Sequence, residues 1–326
     1  MVRRTSKDDD PPILEDDHPG GLKESAWDRR RFLKIGIGGV ALVVVAGVTG
    51  LELVSHGVLP GQQTLDQFDG ACSVNNEPLA FSTLGRSMSG TFFSNARNRN
   101  VGYTVAYPPR HGVGSVLPLV VMLHGFGGNH SDALVGMTPA EAVALHVQGI
   151  QLAPMALVTV DGGNGYWNPH PGDDPMGMVI DELIPRCQQL GLGRPPQKIG
   201  AMGISMGGFG AILLAEKYPS LISAVAAISP AIWTNYAQAH AANAGAFEST
   251  EEFKANDVVT LSHALANTPT RVASGDDDPF HPGVEAFVQA LPAGSVVEFA
   301  NGCHTDPFFL SQEPPSLGFL SRHLAG

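Results

Sequence analysis

A serine flanked by glycines is the first candidate for chemistry in this sequence. Ser205 is the centre of GISMG at residues 203–207, which fits the G-x-S-x-G pattern between a predicted strand and a predicted helix. A serine on such a sharp turn is held in a strained conformation, with its Oγ exposed near the positive end of the helix. We therefore predict that Ser205 is a nucleophile, although an ordinary turn serine could give the same five letters.

A nucleophilic serine needs a histidine as its general base, and several histidines follow Ser205 in the chain. His304 lies in a Gly-Cys-His loop directly after the last predicted strand, which is where a catalytic loop would fall. We predict His304 as the base, with His281 as its main competitor. The remaining histidines lie between strands or in the predicted terminal helix: His240, His263 and His323.

The acid that orients the histidine should follow the strand before it. GDDDP at residues 275–279 offers three adjacent carboxylates at that position. The usual loop has a glycine, two further residues and then the acid, which selects Asp278. Consecutive aspartates are also typical of a solvated turn or a calcium site, and we expect Asp276 and Asp277 to have structural roles in the loop.

Two backbone N–H groups should stabilise the oxyanion that forms when the serine attacks a carbonyl group. One belongs to Met206, directly after the nucleophile. The other is predicted at Phe126, within HGFGG at residues 124–128, where Gly125 permits a close approach. His124 is interpreted as a structural histidine that packs beneath the site.

Tyr166 and Trp167 follow the carboxyl end of a predicted strand. We expect both to line the substrate pocket, with a role in capping the core as the alternative. Residues 233–268, rich in alanine and asparagine, replace a compact crossover and could form a small lid over the site.

Short apolar runs alternate with helical patterns along most of the chain. The runs predict strands at residues 90–96, 102–107, 117–123, 156–160, 198–202, 223–228, 270–274 and 295–300. The helical patterns fall at residues 139–148, 176–190, 206–217 and 282–291. This alternation predicts the α/β class, with a doubly wound, mostly parallel sheet and helices on both faces. Ligands bind at the carboxyl ends of the strands in such sheets, where the candidate residues fall.

Residues 1–60 differ in kind from the rest of the chain. A polar tail leads to DRRRFLK at residues 28–34, and the next 17 residues are uncharged. This arrangement resembles a bacterial twin-arginine export signal, which implies the twin-arginine translocase as a partner. A solvated basic run before a core helix is the alternative. Residues 35–54 are expected to be either a cleaved signal or an uncleaved membrane anchor, since no clean cleavage site follows them.

Charge and composition exclude several classes of function. The formal net charge is -12, and residues 1–34 are neutral overall, so the acidity belongs to the remainder. A binder of nucleic acid would instead need clustered lysine and arginine. The three cysteines are too few for a disulfide scaffold. Cys72 and Cys303 could nevertheless pair in an exported protein.

Four motifs together resemble a known family. They are HGFGG at residues 124–128, DGGNGYW at 161–167, DELIP at 181–185 and GISMGG at 203–208. In this order and spacing they resemble the putative-esterase family of α/β-hydrolases, which includes esterase D, feruloyl esterases and mycolyltransferases. The resemblance implies an α/β-hydrolase fold over residues 85–326, with Ser205, Asp278 and His304 as nucleophile, acid and base. Mycolyltransferases have Glu as the acid and lack the HGFGG form, which favours an esterase.

The sequence therefore predicts an exported serine esterase that hydrolyses small-molecule or lipid esters through an acyl-enzyme on Ser205. Such a reaction needs no metal or organic cofactor. The alternatives are an envelope acyltransferase with the same acyl-enzyme and a catalytically silent hydrolase fold that binds a ligand. In the predicted layout, a signal or anchor at residues 1–60 and a lead-in at 61–84 precede one catalytic domain at 85–326.

Overall fold

The structure is a computed structural model that describes residues 72–325. The predicted export signal and anchor, and residues 61–71 of the lead-in, lie outside this range. The strands are β1 (Ala80–Phe81), β2 (Ser87–Ser94), β3 (Arg99–Ala106), β4 (Leu119–Leu123), β5 (Leu145–Val147), β6 (Ile150–Gln151), β7 (Ala156–Val160), β8 (Ile199–Ile204), β9 (Ile222–Ile228), β10 (Thr270–Gly275) and β11 (Val296–Ala300).

The helices are mostly short, apart from the one after β8 and the last one. They are α1 (Pro139–Ala142), α2 (Pro175–Gly177), α3 (Ile184–Gln189), α4 (Met206–Lys217), α5 (Tyr236–Ala242), α6 (Thr250–Ala255), α7 (Val258–Leu261), α8 (His281–Ala290) and α9 (Asp306–Leu324). A π-helical segment, Met178–Leu183, joins α2 to α3, and a 3-10 helix, Ser262–Asn267, follows α7.

Eight of these strands form the central sheet, in the order β11-β10-β9-β8-β4-β7-β3-β2. The strands from β11 to β7 are parallel, and the β2–β3 hairpin adds to β7 in antiparallel orientation. The carboxyl ends of the parallel strands therefore lie along one edge. This arrangement confirms the predicted doubly wound, mostly parallel sheet.

Both faces of the sheet are covered, which explains the composition of its central strands. Every residue of β4, β7 and β8 is buried, so these strands are almost continuously apolar. Helices α3, α4 and α8 contribute to the core on one face, and α9 contributes to the core on the other. The apolar sides of these helices hold the site-bearing loops in place by packing on the sheet.

The structure corrects two of the predicted elements. The helix predicted at 139–148 ends at Ala142, and the rest of that segment forms the β5–β6 hairpin. Gln148 and Gly149 both have positive φ, as a tight two-residue hairpin turn requires, and this local geometry overrides the helical pattern. The strand predicted at 90–96 ends two residues earlier, at Ser94, because the turn to β3 falls at residues 95–98, with Asn98 at a φ of 50°.

Within residues 72–325, the helices are too short or too polar for any of them to span a lipid bilayer. The longest, α9, has 19 residues and includes Pro314 and Pro315 in its interior. It packs on the sheet, with residues such as Leu317 and Leu320 fully buried.

An acidic side chain of α4 is buried in the core. Glu216, near the end of α4, is 5% exposed, and neither of its carboxylate oxygens has a hydrogen-bond partner among the described residues. Burial raises the pKa of Glu216 to about 9; the nearby Asp257 adds to this effect and Lys217 opposes it. Glu216 therefore carries a proton in the folded protein at neutral pH.

We expect Glu216→Gln to stabilise the protein at pH 8 but not at pH 4.5. The unfolded chain loses this proton near the ordinary value of 4.5, whereas the folded chain holds it to about 9. Unfolding therefore releases a proton between these values, and rising pH lowers the stability. Glutamine removes this dependence, for an expected gain of about 1–3 kcal/mol, or roughly 3–8 °C in Tm, at pH 8. Thermal unfolding at pH 4.5, 6 and 8 measures it, and an equal gain at every pH would contradict the prediction.

Candidate active site

The turn after β8 holds Ser205 in a strained conformation. Its φ is 56° and its ψ is -122°, and its N–H donates to the Ile228 carbonyl oxygen of β9 at 2.9 Å. A Cβ on Gly207 would overlap the Leu123 carbonyl oxygen, so only glycine lets α4 begin this close to β4. Non-glycine residues rarely adopt such dihedrals, and they do so mostly at functional sites.

Ser205, His304 and Asp278 form one chain of hydrogen bonds. His304 Nε2 lies 2.8 Å from Ser205 Oγ, and its Nδ1 lies 2.8 Å from Asp278 Oδ2. Because the carboxylate accepts the proton on Nδ1, Nε2 is free to accept the Ser205 hydroxyl proton. The His304 ring packs between Phe280 and Phe309, with each ring centroid 5.0 Å away, which restricts its orientation.

Burial distinguishes Asp278 from its two neighbours. Asp278 is 3% exposed, whereas Asp276 and Asp277 are exposed. Its second oxygen, Oδ1, accepts the Phe280 N–H at 2.8 Å, so both oxygens are engaged. His281, the competing base, instead places Nδ1 2.9 Å from the Gly275 carbonyl oxygen. The structure thus brings together the three residues that the sequence selected and leaves their alternatives outside the site.

The loop after β4 lies directly beside the nucleophile. A Cβ added to Gly125 would be 3.7 Å from the Ser205 Cβ, which places the Gly125 backbone in contact with the serine. Neither the Phe126 N–H nor the Met206 N–H has a hydrogen-bond partner among the described residues. Both predicted oxyanion donors therefore remain available to a ligand.

His124 supports this loop from below and is fully buried. Its Nε2 accepts the Gly162 N–H at 2.9 Å, so the ring proton is on Nδ1, which donates to the Gly125 carbonyl oxygen at 2.7 Å. Burial lowers the pKa of His124, which keeps the ring neutral, as this pair of hydrogen bonds requires. The histidine therefore connects the loops that follow β4 and β7.

Asn164 supports the same loop from the side, a role that the sequence reasoning missed. Its Oδ1 accepts the Gly127 N–H at 2.7 Å, and its carbonyl oxygen accepts from Asn243 Nδ2 at 2.9 Å. Asn164 thereby joins the Phe126 loop to the segment after α5. The available signal was its position in DGGNGYW directly after β7, because the loops after the paired strands β4 and β7 end beside each other.

A cleft of about 730 Å³ opens above Ser205 and His304. Its lining residues include a largely aliphatic set, called the apolar wall below, and an aromatic set, called the aromatic side. The apolar wall consists of Ala133, Leu134, Val135, Gly136, Ile204 and Phe309, and the aromatic side of Phe126, Tyr166, Trp233 and Phe280. Such a cleft suits a neutral group of moderate size next to the serine.

The structure separates the two aromatic residues that were predicted to line the pocket. Tyr166 borders the cleft, and its hydroxyl accepts from Trp233 Nε1 at 2.7 Å. Trp167 lies in the core at 1% exposure, against His124, and its Nε1 donates to the His124 carbonyl oxygen. The prediction that Trp167 lines the pocket is therefore corrected, because the positive φ of both residues turns adjacent side chains to different environments.

Only the beginning of the predicted lid reaches the cleft. Trp233, Ala242 and Asn243 border it, whereas Val258 and Leu265, further along the segment, are buried in the core. Residues 233–268 therefore combine a short cover for the site with a buried support beneath it.

The charge around the cleft is negative. Asp132 and Asp306 border it, and no lysine or arginine is among its described lining residues. Both carboxylates are exposed, and Asp132 accepts hydrogen bonds from Asn129. A negatively charged ligand would therefore meet repulsion without a compensating cation.

A disulfide anchors the loop that carries the histidine. Cys72 and Cys303 are bonded, with Cα atoms 4.9 Å apart, and Cys303 is buried directly before His304. Asn301 adds a hydrogen bond from Nδ2 to the Ser73 carbonyl oxygen at 3.0 Å. The pairing that the sequence left open is thus formed, and the first described residues are fastened to the His304 loop.

Loss of this disulfide should slow the reaction of Ser205 as well as destabilise the fold. For Cys72→Ser/Cys303→Ser we expect Tm to fall by at least about 5 °C and the rate of covalent labelling by a fluorophosphonate to fall about 3–10-fold. The physical reason is that His304 loses an anchor on its amino-terminal side.

Cys187 offers a matched control, because it is a buried free thiol in α3, away from the disulfide. We expect Cys187→Ala to be labelled at the rate of the parent protein. We also expect a reductant to change the labelling rate of this variant as much as it changes that of the parent protein. If the double variant is destabilised but labels at the rate of the parent protein, the disulfide does not position His304.

Known proteins resemble this chain in family and in fold. The family model described as "Putative esterase" matches residues 94–282. No curated protein sequence matches. Among solved structures, a ferulic acid esterase has 20% sequence identity and a TM-score of 0.60, with coverage of 76% of this chain and 100% of the other.

Two further structures have similar scores. An S-formylglutathione hydrolase from Agrobacterium tumefaciens has 17% identity and a TM-score of 0.59, with coverage of 76% and 99%. The fluorophosphonate-binding serine hydrolase F from Staphylococcus aureus has 15% identity and a TM-score of 0.56, with coverage of 73% and 99%. Together these matches confirm the predicted α/β-hydrolase fold.

Proposed function

The chain belongs to the esterase family described as "Putative esterase", and we propose that it is an exported serine esterase that forms an acyl-enzyme on Ser205. The observation that carries this proposal is the unbroken hydrogen-bond chain from Ser205 through His304 to Asp278, beside two free backbone N–H groups. A nucleophile, a base, an orienting acid and an oxyanion site are what acyl transfer requires.

In the proposed reaction Ser205 Oγ attacks the ester carbonyl carbon while its proton passes to His304 Nε2. The oxyanion is stabilised by the N–H groups of Phe126 and Met206, and buried Asp278 stabilises the imidazolium ion. Collapse of the intermediate breaks the bond to the alcohol, which leaves with the proton from His304. Water then attacks the acyl carbon of the acyl-enzyme and gives a proton to His304 Nε2. Collapse of this second intermediate breaks the bond between the acyl carbon and Ser205 Oγ, which takes the proton back from His304, and the carboxylic acid is released.

Two observations support export. DRRRFLK at residues 28–34 precedes an uncharged stretch, which is the pattern of a twin-arginine signal. The Cys72–Cys303 disulfide is a bond of the kind that forms and persists in oxidising compartments. We propose that residues 1–60 direct export, that 35–54 are a signal or anchor, and that 85–326 form the catalytic domain.

The cleft favours uncharged esters. Its apolar wall, from Ala133 to Gly136 with Phe309, is the proposed site of the acyl group, and the aromatic side is left for the alcohol. Asp132 and Asp306 disfavour an anionic leaving group such as glutathione, which carries two carboxylates. In this respect we expect the chain to differ from the S-formylglutathione hydrolase that it resembles in fold.

The triad is tested by comparing two neighbouring aspartates. With p-nitrophenyl butyrate as substrate, Asp278→Asn should lower kcat by about 10³–10⁴-fold, because His304 loses its orienting acceptor. Asp276→Asn is the matched control and should retain parental activity, since Asp276 is exposed and lies outside the triad.

Ser205→Ala should abolish fluorophosphonate labelling and lower kcat by about 10⁶-fold.

Absence of turnover by the parental enzyme would contradict the proposed function. Equal losses for the two aspartate variants would contradict the assignment of the acid. Free butyrate as the product, measured with a competing alcohol present, distinguishes hydrolysis from acyl transfer.

Charge selection is tested with three butyryl thioesters that differ only in the thiol: thiocholine, 2-mercaptoethanol and 3-mercaptopropionate. At low ionic strength we expect kcat/KM for the neutral thioester to exceed that for the anionic one about ten-fold, and the ratio to shrink in 1 M salt. Released thiol is followed with a colorimetric thiol reagent. In Asp132→Asn/Asp306→Asn the ratio should fall to about two-fold, since the repulsion is removed.

Glu285→Gln serves as the control, because Glu285 is exposed on α8 and does not border the cleft. It should keep the parental ratio. Hydrolysis of the anionic thioester as fast as the neutral one would show that the two carboxylates do not select the substrate.

A further inference from the structure

Apart from Ile204 at the end of β8, the apolar wall of the cleft is built from two segments that are far apart in the chain. Residues 133–136, in the loop after β4, form one part of it. Phe309, in the first turns of α9, forms the other and also packs against the His304 ring. Since these segments share no strand or helix, side-chain contacts must hold them at a fixed separation.

Glu313 makes such a contact. It follows Phe309 by one helical turn, and its Oε1 accepts the Val135 N–H at 2.7 Å. The neighbouring Leu310 packs beside Gly136, where a Cβ would be 3.1 Å from Leu310 Cδ1. Val135 and Gly136 both border the cleft, so α9 holds the wall through one hydrogen bond and one apolar contact.

A carboxyl group is an unfavourable choice for this position if only stability matters. Glu313 is 0% exposed, and its second oxygen has no hydrogen-bond partner among the described residues. Burying a polar group with half of its hydrogen bonds unmade destabilises a fold, whereas an apolar residue would pack there without that cost. The acceptor for the Val135 N–H is the feature that an apolar residue could not supply.

Accordingly, we propose that Glu313 is a positioning residue that holds the loop at residues 129–137 against α9 and so sets the length of acyl chain that the cleft accepts. This inference rests on the proposed esterase function, in which the apolar wall binds the acyl group. Glu313 itself does not border the cleft; it acts through Val135.

The protonation state of Glu313 decides which variant is the conservative one. Burial raises the pKa of Glu313 to about 8; Asp306 adds to this effect, and the Val135 N–H opposes it. The carboxyl group is therefore neutral at pH 7. Glutamine is also neutral and of the same length, and it can accept the Val135 N–H in the same way.

The experiment measures kcat and KM for p-nitrophenyl esters from acetate to octanoate at pH 7. In Glu313→Leu we expect kcat/KM for the butyrate ester divided by kcat/KM for the octanoate ester to fall at least about five-fold. The change should come mainly from a lower KM for the octanoate ester. The reason is that the freed loop can yield to a longer chain. Glu313→Gln should restore the parental profile. Glu313→Asp, which is too short to reach Val135, should behave like leucine and replaces it if the leucine variant does not fold.

Glu216 provides the matched control, because it is also a buried glutamate in a helix, but neither of its carboxylate oxygens bonds a loop of the cleft among the described residues. Glu216→Leu and Glu216→Gln should change Tm and leave the acyl-length profile unchanged. If Glu313→Leu and Glu313→Asp alter Tm alone, Glu313 is only structural and the inference is wrong. If the parental enzyme and Ser205→Ala are equally inactive on every ester, the proposed function itself has failed.

Discussion

The backbone contact between Gly207 and the end of β4 is the constraint on which the site depends. No side chain fits there, because a Cβ on Gly207 would overlap the Leu123 carbonyl oxygen. The contact lets α4 begin beside β4, so Ser205 must turn through positive φ between its strand and its helix. The loop after β4 then passes directly beside it, with Gly125 against the serine. One close approach therefore fixes the nucleophile relative to the loop that carries the Phe126 N–H.

Around this contact, side-chain hydrogen bonds connect the loops that surround the site. Neutral His124 joins the loops after β4 and β7, and Asn164 bonds the Gly127 N–H. Asp161 accepts the His130 N–H with one oxygen and the Gly102 N–H with the other, each at 2.8 Å. Fixed donors stabilise a developing charge without reorganising during the reaction. These hydrogen bonds therefore fix the loop that carries the Phe126 N–H, one of the two proposed oxyanion donors.

The sequence was sufficient for features that depend on local pattern and chain order. Ser205 was identified by its strand–turn–helix context, and His304 and Asp278 by the loops that follow the last two strands of a parallel sheet. Trp167 was assigned to the wrong environment, because the direction of its side chain depends on backbone dihedrals that composition does not reveal. Asn164 and Glu313 were missed because their partners, Gly127 and Val135, are far away in the chain.

The histidine loop is anchored on both sides, which couples catalysis to the shape of the cleft. On its amino-terminal side Cys303 is fixed by the disulfide to Cys72, and on its carboxyl-terminal side α9 begins two residues after His304. Because α9 also carries Phe309 and Glu313, a shift of this helix would move the base, the ring against the base and the apolar wall together. A mutation that changes the acyl-chain length accepted by the cleft by shifting α9 would therefore also disturb proton transfer through His304. A mutation that moves only the loop after β4 would not. Glu313 is placed to meet this condition, since its hydrogen bond is to the Val135 N–H, whereas the residue of α9 that packs against the His304 ring is Phe309.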